Sequence, residues 1–224
     1  MADIELPALA DEVLQFWFPD DGHDKSVDTH GEFWFWRMQG GADDAIVSRF
    51  SQLTEDAARG LHDDWAATAR GRLALIIVLD QFSRSLWRDD PRAFGQDIKS
   101  ARLAIEALDN GHFEELAHVW EKTFLLICIG HCEGPDHLAR MNRIVALADR
   151  LQDEAPEILR PLYKVAAEQP RLTRSVIERF GRHPHRNSVL GRISTPDEES
   201  YVATGAFPHN RSREDFEASM RGQR

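Results

Sequence analysis

Cysteine is scarce in this chain, with two among 224 residues, too few for the disulfide framework of a small secreted domain. Cys128 and Cys132 lie four apart in an apolar stretch. A helix would stack them on one face and a bridge between them would strain it, so buried reduced thiols are expected. Positive charge is also short: 27 Lys and Arg stand against 38 Asp and Glu, for a formal net charge of −11. A general nucleic-acid binder needs a broad basic face, and so does a protein drawn to anionic lipid; neither partner is expected. Long apolar runs are missing. The longest, residues 73–79, is far below the length of a membrane span. Residues 1–5 are acidic, without the basic start and apolar core of a signal peptide, so a cytoplasmic location is expected. Glycine-rich phosphate loops, a Gly-x-Ser-x-Gly elbow and a His-Glu-x-x-His pattern are absent too.

Apolar residues make up 42% of the chain and charged residues 29%, the balance of an ordinary globular protein able to bury a substantial core. Almost every patterned segment repeats at helical period. Leu9, Val13, Phe16 and Trp17 share a face of a first helix, and Phe33-Trp34-Phe35-Trp36 follow a polar loop. Ile46, Phe50, Leu53 and Ala57 form a stripe that Asp43 or Asp44 would cap and Gly60 would close. The helix from about residue 68 to 87 is apolar around most of its circumference, which predicts a place at the centre of the core. Phe94, Ile98, Ala101, Ile105 and Leu108 make another stripe, ended by Asn110-Gly111. Leu116, Trp120, Phe124 and Ile127 lead the next helix; Leu138, Met141, Val145, Ala148 and Leu151 lead the one after. Pro170 should break or kink the helical stretch over 158–180. Thr195-Pro196-Asp197-Glu198 reads as a capping box at a helix start. No segment alternates at period two. The expectation is an all-α protein of about eight helices, a single domain over 1–207 with a polar tail over 208–224.

Three motifs resemble a known family. They are Leu79-Asp80-Gln81-Phe82-Ser83-Arg84-Ser85-Leu86-Trp87-Arg88, then His131-x-Glu133, then Phe180-Gly181-Arg182-His183-Pro184-His185-Arg186-Asn187 followed by Leu190-Gly191-Arg192-x-Ser194-Thr195. They are similar to the motifs of the bacterial domain-of-unknown-function family 924. Phe16-Trp17-Phe18, the Trp65 region and Asp90-Pro91-Arg92-Ala93-Phe94 support the match, which spans roughly residues 16–202. The resemblance implies a helical domain of the tetratricopeptide-like superfamily, a right-handed helical array, and no assigned activity. Members commonly carry Asp-Gln-Phe-Pro-Arg, where this chain has Ser83. They commonly carry His-Ser-Glu-Asp, where it has Cys132 and Gly134.

Polar residues gather at the ends of apolar helices. Asp80 and Arg84 are four apart and share a face, with Gln81 beside them. Such a pair either lines a pocket or fixes helix register. His131 and Glu133 place an imidazole near a carboxylate, an acid/base combination. Residues two apart on a helix point different ways, so joining them requires unwinding near Gly130. His131, His137, His183 and His185 lack further ligands at a diagnostic spacing, so neither a metal nor a cofactor is expected. Arg182, His185, Arg186 and Asn187 sit in a basic island: between residues 171 and 192, six Arg face Glu178 alone. Arg offers a planar fork matched to carboxylate and phosphate oxygens. The expected function is therefore binding of a small anion or an acidic peptide end. Arg84, Arg182 and Arg186 would hold the charge, His185 and Asn187 would add directional hydrogen bonds, and Asp80, Gln81, His131 and Glu133 would complete a shared site. Two alternatives are a hydrolase with His131 or His185 as general base and a protein–protein interaction module with no small-molecule site. The sequence assigns no catalytic set.

Overall fold

The computed structural model describes residues 6–19, 22 and 24–222. Among them there is no strand, and the chain runs through thirteen α-helical segments. The count exceeds the eight expected, because short turns of 3-10 and π geometry divide some segments and the tail over 208–224 carries a helix of its own. The described residues fall into two compact units: the first takes those of 1–23 together with 32–132, the second takes 24–31 together with 133–222.

The first unit holds α1 (Ala8–Trp17), most of α2 (Val27–Met38), α3 (Asp43–Ala58), α4 (Ala69–Ile77), α5 (Ser83–Leu86), α6 (Asp97–Asn110), α7 (His112–Glu115) and α8 (Val119–His131). The helix expected at its centre starts at Thr68, whose side chain caps it by accepting the Gly71 amide at 3.1 Å. It continues through α4, a π-turn at Val78–Phe82 and α5. Every residue from 73 to 79 is at most 1% exposed, and α4 packs on α1, α6 and α8. Gly71 is needed for this packing, because a Cβ there would lie 2.3 Å from the Trp65 carbonyl oxygen.

Two stripes face other than expected. Leu9 is half exposed, and α1 buries Ala10, Val13, Leu14 and Trp17 instead. Ile98 is 76% exposed, while α6 turns Ser100, Ala101, Ala104 and Ala107 inward, toward α8 and α4. Small side chains allow helix axes to approach closely, so Ala and Ser marked that face rather than the larger Ile. Of the aromatic run, Trp34 packs on Phe124 and Trp36 on Phe16, with ring centroids 5.6 and 6.0 Å apart. Arg37 is buried among the rings of Trp17, Phe18, Phe33, Trp34 and Phe124.

The second unit contains α9 (His137–Glu154), α10 (Arg160–Ala166), α11 (Glu168–Phe180), α12 (Pro196–Ala203) and α13 (Arg213–Gly222), with α9 packed on α10 and α11. The break expected at Pro170 falls at Ala167. Pro170 is then the third residue of α11, in the first turn, where its missing N–H removes no intrahelical bond. The capping box forms as read: Glu198 N donates to Thr195 Oγ1 at 3.2 Å and Thr195 N to Glu198 Oε2 at 2.8 Å. The polar tail carries α13, which packs on α10. Among the described residues no helix is long and apolar enough to cross a membrane.

Candidate functional site

Asp80 lies inside the π-turn, where the Ser83 amide reaches back to the Val78 carbonyl rather than to that of Leu79. The extra residue in the turn swings the polar pair Asp80-Gln81 out of the ordinary helical register, and such turns recur at functional sites. The Asp80 carboxylate is 1% exposed and surrounded by donors. Arg84 Nη1 stands 3.0 Å from Oδ1, His131 Nδ1 lies 2.9 and 3.0 Å from the two oxygens, and Gln81 Nε2 is 2.5 Å from Oδ2. Arg84 also reaches Asp97 Oδ1 with Nη2 at 2.8 Å.

Burial by itself would push the Asp80 pKa up. The charges of Arg84 and His131 and the hydrogen bonds from His131 and Gln81 outweigh it and hold the carboxyl well below the usual range. Arg84 shows the mirror case: burial works against its charge, and Asp80 and Asp97 more than restore it. His131 ends α8 with a quarter of its side chain exposed. When Nδ1 donates to a carboxylate, the basic lone pair of a neutral imidazole is on Nε2. Cys128 is buried beside this cluster, and neither it nor the buried Cys132 is in a disulfide, as expected of the thiols. Burial, then the neighbouring Asp80 and Asp97, raise the Cys128 pKa well above its ordinary value, which leaves it a poor nucleophile.

The second cluster belongs to the second unit. Glu133 accepts the His183 amide at 2.6 Å and pairs with Arg192. Arg192 in turn donates to the His183 carbonyl and, through Nε, to Asn187 Oδ1, both at 3.0 Å. Asn187 Nδ2 reaches Ser194 Oγ at 2.9 Å. Arg182 forms a fork on Glu198 at 2.6 and 2.7 Å. Burial opposes the charge on Glu133, but Arg192, the His183 amide and the charge of Arg186 lower its pKa. Arg186 is 4% exposed. The His185 ring sits between those of His183 and His209, at 5.5 and 4.4 Å.

Seven of the nine residues singled out by the sequence sort into two groups. Asp80, Gln81, Arg84 and His131 meet around one carboxylate; Glu133 and Asn187 meet through Arg192, with Arg182 joined to the start of α12. The expected His131–Glu133 unit takes a different form. Helix α8 runs through Gly130 without unwinding and ends at His131, and Cys132 is extended at φ −75°, ψ 113°. Three partners escaped the sequence reading: Asp97, Arg192 and Glu198. Arg192 and Glu198 stood inside motifs already noticed, whereas nothing in the letters ties Asp97 to Arg84. Among the described residues no three His, Cys, Asp or Glu side chains are arranged to ligate a metal.

Fold and sites together define an all-helical protein with buried, carboxylate-centred charge networks. The chain belongs to the family described as bacterial protein of unknown function, DUF924, whose model matches residues 13–206. It is also similar to the solved structure of a protein of unknown function from Agrobacterium tumefaciens, at 30% identity and a TM-score of 0.66, over 90% of this chain and 100% of that one. No curated protein matches the sequence.

Proposed function

We propose that the protein is a hydrolase-type enzyme in which His131 is the general base and Asp80 its orienting partner. One observation carries this reading: a carboxylate 1% exposed is bonded to Nδ1 of an imidazole whose side chain is 25% exposed. In that role Asp80 fixes the tautomer and stabilises the imidazolium formed when Nε2 takes a proton from water. Arg84, held at the same carboxylate, keeps Asp80 ionised beside His131. The raised Cys128 pKa argues for water rather than a thiol as the nucleophile. The anion-binding reading has less behind it, because Arg84 and Arg182 already face carboxylates. On the strength of the resemblance we also arrange the helices as a tetratricopeptide-like array, with α6/α8 and α9/α11 as stacked pairs. The buried free cysteines favour a reducing, cytoplasmic setting.

The test is hydrolysis of p-nitrophenyl acetate, p-nitrophenyl butyrate and bis(p-nitrophenyl) phosphate by the wild type and by His131→Gln. Turnover of at least one substrate by the wild type, lost in the variant at an unchanged melting temperature, is the expected outcome. Equal rates for the two proteins, or no turnover of any substrate, would count against the reading.

A further inference from the structure

The second unit contains a pocket of about 460 Å³, within the roughly 300–1,000 Å³ range of small-molecule sites. Leu172 and Val176 of α11, Tyr201 of α12 and Phe207 give it apolar walls, and Arg211 and Asp215 line the same space. Two charged groups there have spare capacity, beside a sealed hydroxyl. The Tyr201 hydroxyl is buried without a hydrogen-bond partner, and burial raises its pKa against the weaker opposing influence of Arg179. Buried hydroxyls are normally bonded, so this one calls for an explanation. Arg211 donates to Ser219 Oγ at 2.8 Å and lies 5.9 Å from the Phe216 ring centroid; no carboxylate pairs with it among the described residues. Asp215 receives its bonds from Ser212, amide and hydroxyl, on Oδ2 alone, at 3.1 and 2.7 Å.

We infer that this pocket binds a small zwitterion with an apolar side chain, such as an apolar amino acid. Arg211 takes the carboxylate. Asp215 Oδ1 takes the ammonium, and Leu172, Val176 and Phe207 cover the side chain. A plain carboxylate would meet the charge of Asp215 and a plain amine that of Arg211, so only a ligand carrying both charges satisfies both residues. The site stands independently of the Asp80–His131 reading. Phe207, Arg211 and Asp215 lie beyond the family match over 13–206.

Isothermal titration with L-phenylalanine and L-leucine tests it, with 3-phenylpropanoate and 2-phenylethylamine as half-molecules. Saturable binding of at least one amino acid is expected, weakened about tenfold or more in Arg211→Gln and in Asp215→Asn, since each removes a charge-assisted contact. Both half-molecules should bind more weakly than phenylalanine. Absence of saturable binding by both amino acids would overturn the inference, as would wild-type affinity in the charge variants or equal affinity for either half-molecule.

Discussion

Asp80 owes its charge to neighbours recruited from two places in the chain, Gln81 and Arg84 close by and His131 far off, while Asp97 supports Arg84. Arg84 is one helical turn away, and that spacing made the pair readable. Asp97 is 13 residues from Arg84 and His131 is 51 from Asp80; separations of that kind are set by helix packing and leave no local pattern. The same holds for Glu133 and Arg192, 59 apart. Removing one partner of a buried pair strands the other, so Arg84→Met should destabilise the fold by about 3–5 kcal/mol in urea unfolding. In an Asp80→Ala background the same substitution should cost less, because Asp97 is then the one carboxylate left without Arg84. Additive losses in that double-mutant cycle would show that the two side chains do not depend on each other.

Helices were the legible elements because each buries a stripe at helical period, and caps such as Thr68 and Thr195 mark where some begin. The faces were less legible. Where Ala and Ser line a close contact, as on α6, a nearby Ile draws the eye to the wrong side. The π-turn was invisible, since no residue type demands one, yet it explains how Ser83 relates to the proline that the resemblance places there. In an α-helix a proline at 83 would lose a bond to residue 79 and collide with its carbonyl. Here the Ser83 amide bonds past it, to Val78, so a proline would give up that bond, about 1 kcal/mol, and none to residue 79. Ser83→Pro should therefore cost well under the roughly 3 kcal/mol of a mid-helix proline, and Leu75→Pro should cost at least that much; thermal unfolding of the two variants compares them directly. At the start of α12, Thr195→Ala should remove about 1 kcal/mol with the loss of the cap.

For the molecule as a whole, the carboxylates predict how stability responds to acid. The Arg182 fork, over the opposing effect of burial and with help from the Thr195 amide, lowers the Glu198 pKa from 4.5 to about 2. Asp80 and Glu133 move in the same direction. A depressed acid binds fewer protons folded than unfolded, so its contribution is complete above the unfolded value and is lost as pH falls through the folded one. Helicity followed by circular dichroism in mild urea should thus decline between about pH 4.5 and about pH 2, and Glu198→Gln should flatten that decline. A stability that falls instead between pH 6 and 8, roughly where unperturbed histidines titrate, would put the dominant linkage elsewhere.

The catalytic reading is tested most directly by kcat for ester or phosphodiester hydrolysis in the wild type and in His131→Gln. A general base at His131 predicts a fall in kcat of about 10²–10⁴, with KM and melting temperature close to wild type. A variant that turns over at the wild-type kcat would contradict it.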